Sequence, residues 1–97
     1  MFTAITLHYP ATQFVDELTE FMHAVMDGIR DAPGLIEAHV AEAADGSCLA
    51  GVTQWNTADD FARARPLILA FAPQRDPAWT TKPDEAIRLQ SIERVSS

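Results

Sequence analysis

At 97 residues, 47% of them apolar, the chain has the length for one modest core, and residues 1–97 are read as one α+β domain. A formal charge of −7 repels phosphate backbones, and the seven Lys and Arg residues form no dense cluster, which argues against nucleic acid as a partner. No stretch nears the roughly 20 apolar residues of a membrane span, and the N-terminus lacks the blocks of a secretory signal, so a soluble, cytoplasmic protein is expected.

Phe2 to Tyr9 alternates Phe2, Ala4, Thr6 and His8 against Thr3, Ile5, Leu7 and Tyr9, the period of a strand, and Pro10 ends it. Thr12 is placed to cap a helix whose buried stripe is Phe14, Leu18, Phe21, Val25 and Ile29. Arg30 falls in its last turn, where a cation suits the helix dipole, and Asp31 to Gly34 is the stop.

A second strand is expected over 35–43, with Ile36, Ala38 and Val40 toward the core and Glu37, His39 and Ala41 away from it. Asp45-Gly46 reads as a tight hairpin turn, since both residues tolerate positive φ. The third strand returns over Ser47 to Trp55. It carries the single cysteine, Cys48, beside Ala50 and Val52, where a small buried thiol is the ordinary expectation; one cysteine allows no internal disulfide.

Thr57 caps a second helix, with Asp60 three positions on in the manner of a capping box and Phe61, Ala64, Ile68 and Phe71 on its apolar side. Pro66 inside that pattern predicts a kink or two short pieces. Residues 73–83 read as an irregular segment holding Trp79. Ala86 to Val95 is extended again, with Ile87 and Leu89 out of phase with Ile92, which predicts a bulge or a change of partner.

The order βαββαβ predicts a four-stranded antiparallel sheet with both helices on one face. The other face is apolar enough to meet a second subunit, and a two-fold homodimer is the simplest solution.

Pro33-Gly34, the apolar alternation after it, the Asp45-Gly46 hairpin, Trp55, and the helix opening at Thr57, Ala58, Asp59, Asp60 and Phe61 resemble the antibiotic biosynthesis monooxygenase family of dimeric α+β barrels. In element order the similarity spans nearly the whole chain. It implies a ferredoxin-like fold that dimerises into a barrel. Quinone-forming members oxidise electron-rich aromatic polyketides with molecular oxygen and without metal or flavin, so the resemblance implies no cofactor, and Trp55 matches the family Trp. The Asn that accompanies that Trp in such enzymes has no counterpart here, where the chain reads Ala50, Gly51, Val52. Heme-degrading members pair the Trp with a histidine in the second helix and an Asn in the first strand. This chain offers Arg63, Arg65 and Pro66 in the helix and no Asn in the strand, which disfavours heme degradation. A third group acts on quinols or signalling metabolites.

Trp55 shares a strand face with Gly51 and Thr53, where a small floor beside a large aromatic makes room for a planar substrate; alternatively a helix packs over Gly51 and Trp55 is core. Phe61 and Trp79 complete the expected substrate-binding set. His8 and His39, on non-adjacent strands, are the candidate catalytic bases for a phenolic proton, against the plainer reading of hydrogen-bonded or solvent-facing histidines. Three dispersed histidines have no metal-ligand spacing, and Glu37 with His39 is a single i,i+2 pair, so no metal site is expected. Residues 73–83 are either a lid, with Trp79 and Arg75 folding over a pocket mouth, or a stiff connection pinned by Trp79.

Two functions stand side by side: a cofactor-independent monooxygenase acting on a small aromatic or quinol, and a noncatalytic dimeric module that binds a small ligand or assembles. A polar group facing the same cavity as Trp55 separates them.

Overall fold

A computed structural model describes residues 1–94, so Val95, the end of the expected last strand, lies outside the described residues. Strand β1 (Phe2–Pro10) buries Ala4 and His8 on one side and half-buries Ile5 and Leu7 on the other. The cap expected at Thr12 is not made. Thr12–Phe14 instead winds into a 3₁₀ turn in which the Phe14 N–H donates to the Ala11 carbonyl at 2.9 Å, and helix α1 (Val15–Gly28) continues from this already wound chain without a side-chain cap. Helix α1 buries Leu18, Met22 and Val25, and Ile29 is buried just past its end, so Met22 joins the expected stripe while Phe14 and Phe21 lie at its margins. At Gly34 the chain takes φ +85°, and a Cβ there would overlap the Asp60 side chain; both the backbone and the space require glycine.

Strand β2 (Leu35–Glu42) pairs antiparallel with β3 (Leu49–Trp55), but the register slips between Leu35 and Glu37. This bulge turns Ile36 outward to 52% exposure, so the core face of β2 is Leu35, Ala38 and Val40 rather than Ile36, Ala38 and Val40. The hairpin is also wider than expected. The Gly46 N–H donates to the Ala43 carbonyl at 2.8 Å, and Gly46 alone in the turn has positive φ, while Asp45 uses its carboxylate to accept from the Ser47 N–H at 2.9 Å. Strand β3 therefore begins at Leu49, and Cys48 sits before it, half-buried rather than enclosed.

Thr57 does cap helix α2 (Ala58–Leu69), its Oγ1 accepting from the Asp60 N–H at 3.1 Å, while the Asp60 carboxylate pairs with Arg63. The helix runs unbroken across Pro66, so of the two expectations the division into two short pieces does not occur. Pro66 and Ala62, whose carbonyl loses its donor, both lie on the exposed side, where water can satisfy that carbonyl. After 3₁₀ turns at Ala72–Gln74 and Pro77–Trp79, strand β4 (Thr80–Gln90) starts six residues earlier than expected. Its irregularity lies opposite Leu7 to Pro10, and Ile92 stands beyond the strand, 95% exposed.

The sheet order is β2-β3-β1-β4, all antiparallel, the ferredoxin-like arrangement, with Leu49, Gly51, Thr53 and Trp55 of central β3 buried against the helices. The core has two parts: Leu18, Met22 and Leu49, with Phe21 and Trp79 against them, and Ile29, Trp55 and Ala64, with Phe2, Met26 and Phe61. No helix among the described residues is long and apolar enough to cross a membrane.

Candidate functional site

A cavity of about 260 Å³ draws its lining from both parts of the core. Its floor is the helix-facing side of the sheet: Ala4, Thr6 and His8 of β1, and Gly51 and Thr53 of β3. Helix α1 supplies an apolar wall of Phe21, Met22, Met26 and Ile29; α2 supplies Phe61, Arg65 and Ile68. Asp84 and Arg88 of β4 close the far edge with Arg75.

Burial leaves His8 only 9% exposed. Its Nδ1 is enclosed and stands 3.1 Å from Asp84 Oδ1, close enough for ion pairing although not aligned as a hydrogen bond, so Nε2 is the nitrogen a ligand can meet. Asp84 is itself held by a two-pronged contact, Arg75 Nη1 and Nη2 donating to its two oxygens at 2.5 and 2.8 Å. Burial, the largest effect, lowers the His8 pKa; the Asp84 charge raises it and the Arg75 charge lowers it, and the net direction is down from 6.5. For Asp84, burial pushes the carboxyl up, but the bond from Arg75 and the charges of His8 and Arg75 outweigh it and hold it below 3.8.

Of the expected site residues, His8, Gly51, Thr53 and Phe61 meet at this cavity. His39 does not: it is on the far face of the sheet, exposed, 3.4 Å from Glu37. Trp55 is fully buried core rather than cavity wall, its ring 5.9 Å from that of Phe61 and its Nε1–H donating to Thr53 Oγ1 at 2.8 Å. Trp79 packs behind the wall, edge-on to Phe21, and its carbonyl accepts from the Ala11 N–H at 2.8 Å, while Arg75 of the same connection lines the cavity. Gly51 combines its two readings, lining the cavity while a Cβ there would come within 3.0 Å of Met26 Cε. Among the described residues no three His, Cys, Asp or Glu side chains gather as a metal-binding group.

Asp84, Arg65 and Arg88 were not singled out by the sequence. Continuing the β1–β4 register from Thr6↔Ala86 and Leu7↔Glu85 sets Asp84 beside His8, a relation invisible while residues 73–83 read as loop.

No protein-family model and no curated protein sequence matches the chain. Solved structures do. Rv0793 from Mycobacterium tuberculosis is 20% identical, with 98% of each chain covered and a TM-score of 0.80. A mutant of MhuD with two manganese protoporphyrin IX bound per active site is 17% identical, with 100% of each chain covered and a TM-score of 0.78. A mutant of SnoaB, a cofactor-independent oxygenase from Streptomyces nogalater, is 16% identical over 99% of this chain and 97% of its own, with a TM-score of 0.76. With antibiotic biosynthesis monooxygenases themselves among the matching structures, the chain has the fold of that family.

Proposed function

We propose that the chain is a cofactor-independent oxygenase that removes a proton from a small aromatic substrate, an anthrone or hydroquinone, and lets the anion react with molecular oxygen. The observation that carries the reading is His8, a buried imidazole on the floor of a largely apolar cavity, with the Asp84 carboxylate 3.1 Å behind it and burial lowering its pKa. An imidazole with Nδ1–H turned to Asp84 is a base at Nε2, and the carboxylate stabilises the imidazolium that forms. At an anthrone methylene, one proton goes to Nε2 and the carbanion adds O₂. The peroxide takes that proton back, then cleavage of the O–O bond with loss of the second hydrogen leaves a carbonyl and one water.

The fold shared with SnoaB supports this reading, and so does the size of the cavity. At about 260 Å³ it is below the roughly 300–1,000 Å³ of drug-sized sites and suits two or three fused rings better than the porphyrin that MhuD holds. Gly51 is the floor under the ring and Phe61 its side wall, with Trp55 supporting Phe61 from behind. Oxygen uptake on a panel of anthrones and hydroquinones tests the proposal: uptake that falls in His8→Gln supports it, and no uptake on the whole panel refutes it.

The outer face of the sheet carries the second part of the reading, a homodimer. Ile87, Ile5 and Val52 stand in one row across β4, β1 and β3, with Leu89 52% exposed beside them. A two-fold pairing of sheets buries this row. A light-scattering mass of two chains is expected; a mass of one chain overturns it.

A further inference from the structure

We infer that the cavity is built for an organic anion, an aromatic carboxylate whose charged group sits between Arg65 and Arg88 while its ring enters the apolar interior. This deepens the reading above and rests on the same cavity, but on binding alone and not on any oxidation within it.

The distribution of charge carries the inference. Asp and Glu outnumber Lys and Arg by 14 to 7, yet three of the seven basic residues, Arg65, Arg75 and Arg88, line one cavity in which Asp84 is the one acidic side chain among the described residues. Asp84 is taken by Arg75 and His8. Arg30 pairs with Asp27 and Arg63 with Asp60, whereas Arg65 and Arg88, like the exposed Arg94 outside the cavity, meet no carboxylate among the described residues.

Arg88 is held ready for a planar anion. Its guanidinium lies 5.0 Å from the Phe61 ring centroid, and Nη1 donates to the carbonyls of Ile5 and Ile87 at 2.9 and 3.0 Å. Nε and Nη2 remain, the edge that meets a carboxylate with two parallel bonds. Burial, and then the charge of Arg65, make the protonated form of Arg88 less favourable than in water, a repulsion that a bound anion relieves. The remaining lining is uncharged and mostly apolar, with Phe21, Met22, Met26, Ile29 and Ile68 among its large residues and Thr6 and Thr53 on the floor, so it accepts a ring and offers a second charge no partner. His8, nine-tenths buried, lies on the same floor.

The test uses 2-naphthoate and its neutral counterpart 2-naphthamide as probes, with binding measured by calorimetry on the intact chain. Naphthoate is expected to bind at least about 10-fold more tightly than naphthamide, a difference of about 1.4 kcal/mol. Arg65→Gln and Arg88→Gln should each weaken naphthoate about 5- to 10-fold and leave naphthamide unchanged, while Arg30→Gln, away from the cavity, leaves both probes as they were. Naphthoate that binds no better than naphthamide, including absence of binding by both, overturns the inference, as does a preference that survives both cavity variants. Oxygen uptake is a separate readout, so naphthoate selectivity without uptake would uphold the anion site while refuting the oxygenase.

Discussion

Replacing Asp84 by Asn removes the carboxylate that ties the cavity histidine to the surrounding fold. In the native chain it takes two bonds from Arg75, at 2.5 and 2.8 Å, and stands 3.1 Å from His8 Nδ1. The amide keeps one acceptor and loses the charge, so one prong is lost and Arg75 is left without its counter-ion. Enclosed bonds to charged groups contribute about 1.5–3 kcal/mol. With the Arg75 and Asp84 side chains 21% and 27% exposed, solvent screening brings the expected loss at pH 7 to about 1–2 kcal/mol.

Acid should first widen this difference and then close it. Folded His8 resists protonation relative to 6.5, so the native chain loses stability as pH falls below that value toward the lower folded pKa. Asp84 moderates the loss by attracting the imidazolium. Without it the imidazole is harder still to protonate, and the gap between native chain and variant grows from pH 7 to about pH 5. Below 3.8 the unfolded chain protonates Asp84 while the folded chain resists, so the carboxylate's contribution is lost as pH falls through its folded pKa. Urea titrations across this range measure the gap. A gap under about 0.5 kcal/mol at pH 7 refutes the reasoning, as does one that fails to widen toward pH 5 or that widens equally in a His8→Gln background.

Trp55→Ala should cost about 3–5 kcal/mol in urea unfolding, because a fully buried ring is removed, whereas Trp55→Phe should leave naphthoate affinity within about 2-fold, since the indole lies behind the cavity wall. Gly34→Ala should destabilise by about 2–4 kcal/mol from left-handed strain and overlap with Asp60, and an unchanged melting temperature would contradict the turn geometry. Ile87→Lys on the outer sheet face should shift the light-scattering mass from two chains toward one without altering the far-ultraviolet dichroism; a dimer unaffected by it would place the interface elsewhere.

Much of the fold was legible because its central elements carry undiluted periodicity. Strand β1 alternates over its whole length, β3 buries every second residue from Leu49 to Trp55, and α1 keeps a stripe from Leu18 to Ile29. Strand β4 was misplaced for a physical reason: as an edge strand it pairs only with β1, so it tolerates Pro83 and the charges of Lys82, Asp84, Glu85 and Arg88, which together read as loop. That misplacement concealed Asp84; Arg88 lay inside the expected strand, but the face it shares with Ala4 follows only from the pairing with β1. His8 and His39 were equal candidates as the histidines of the expected strands, and the sheet separates them by face. Trp55 drew attention by size, yet its N–H is satisfied by Thr53 and its ring completes the core.

The central claim is that His8 acts as a base on a substrate held in the cavity, and oxygen consumption measures it most directly. With an anthrone or hydroquinone panel at pH 7, the native chain should consume oxygen, and His8→Gln should lower the rate by about 10²-fold or more while keeping its melting temperature. Consumption that is absent across the panel, or equal in the native chain and His8→Gln, would contradict the account.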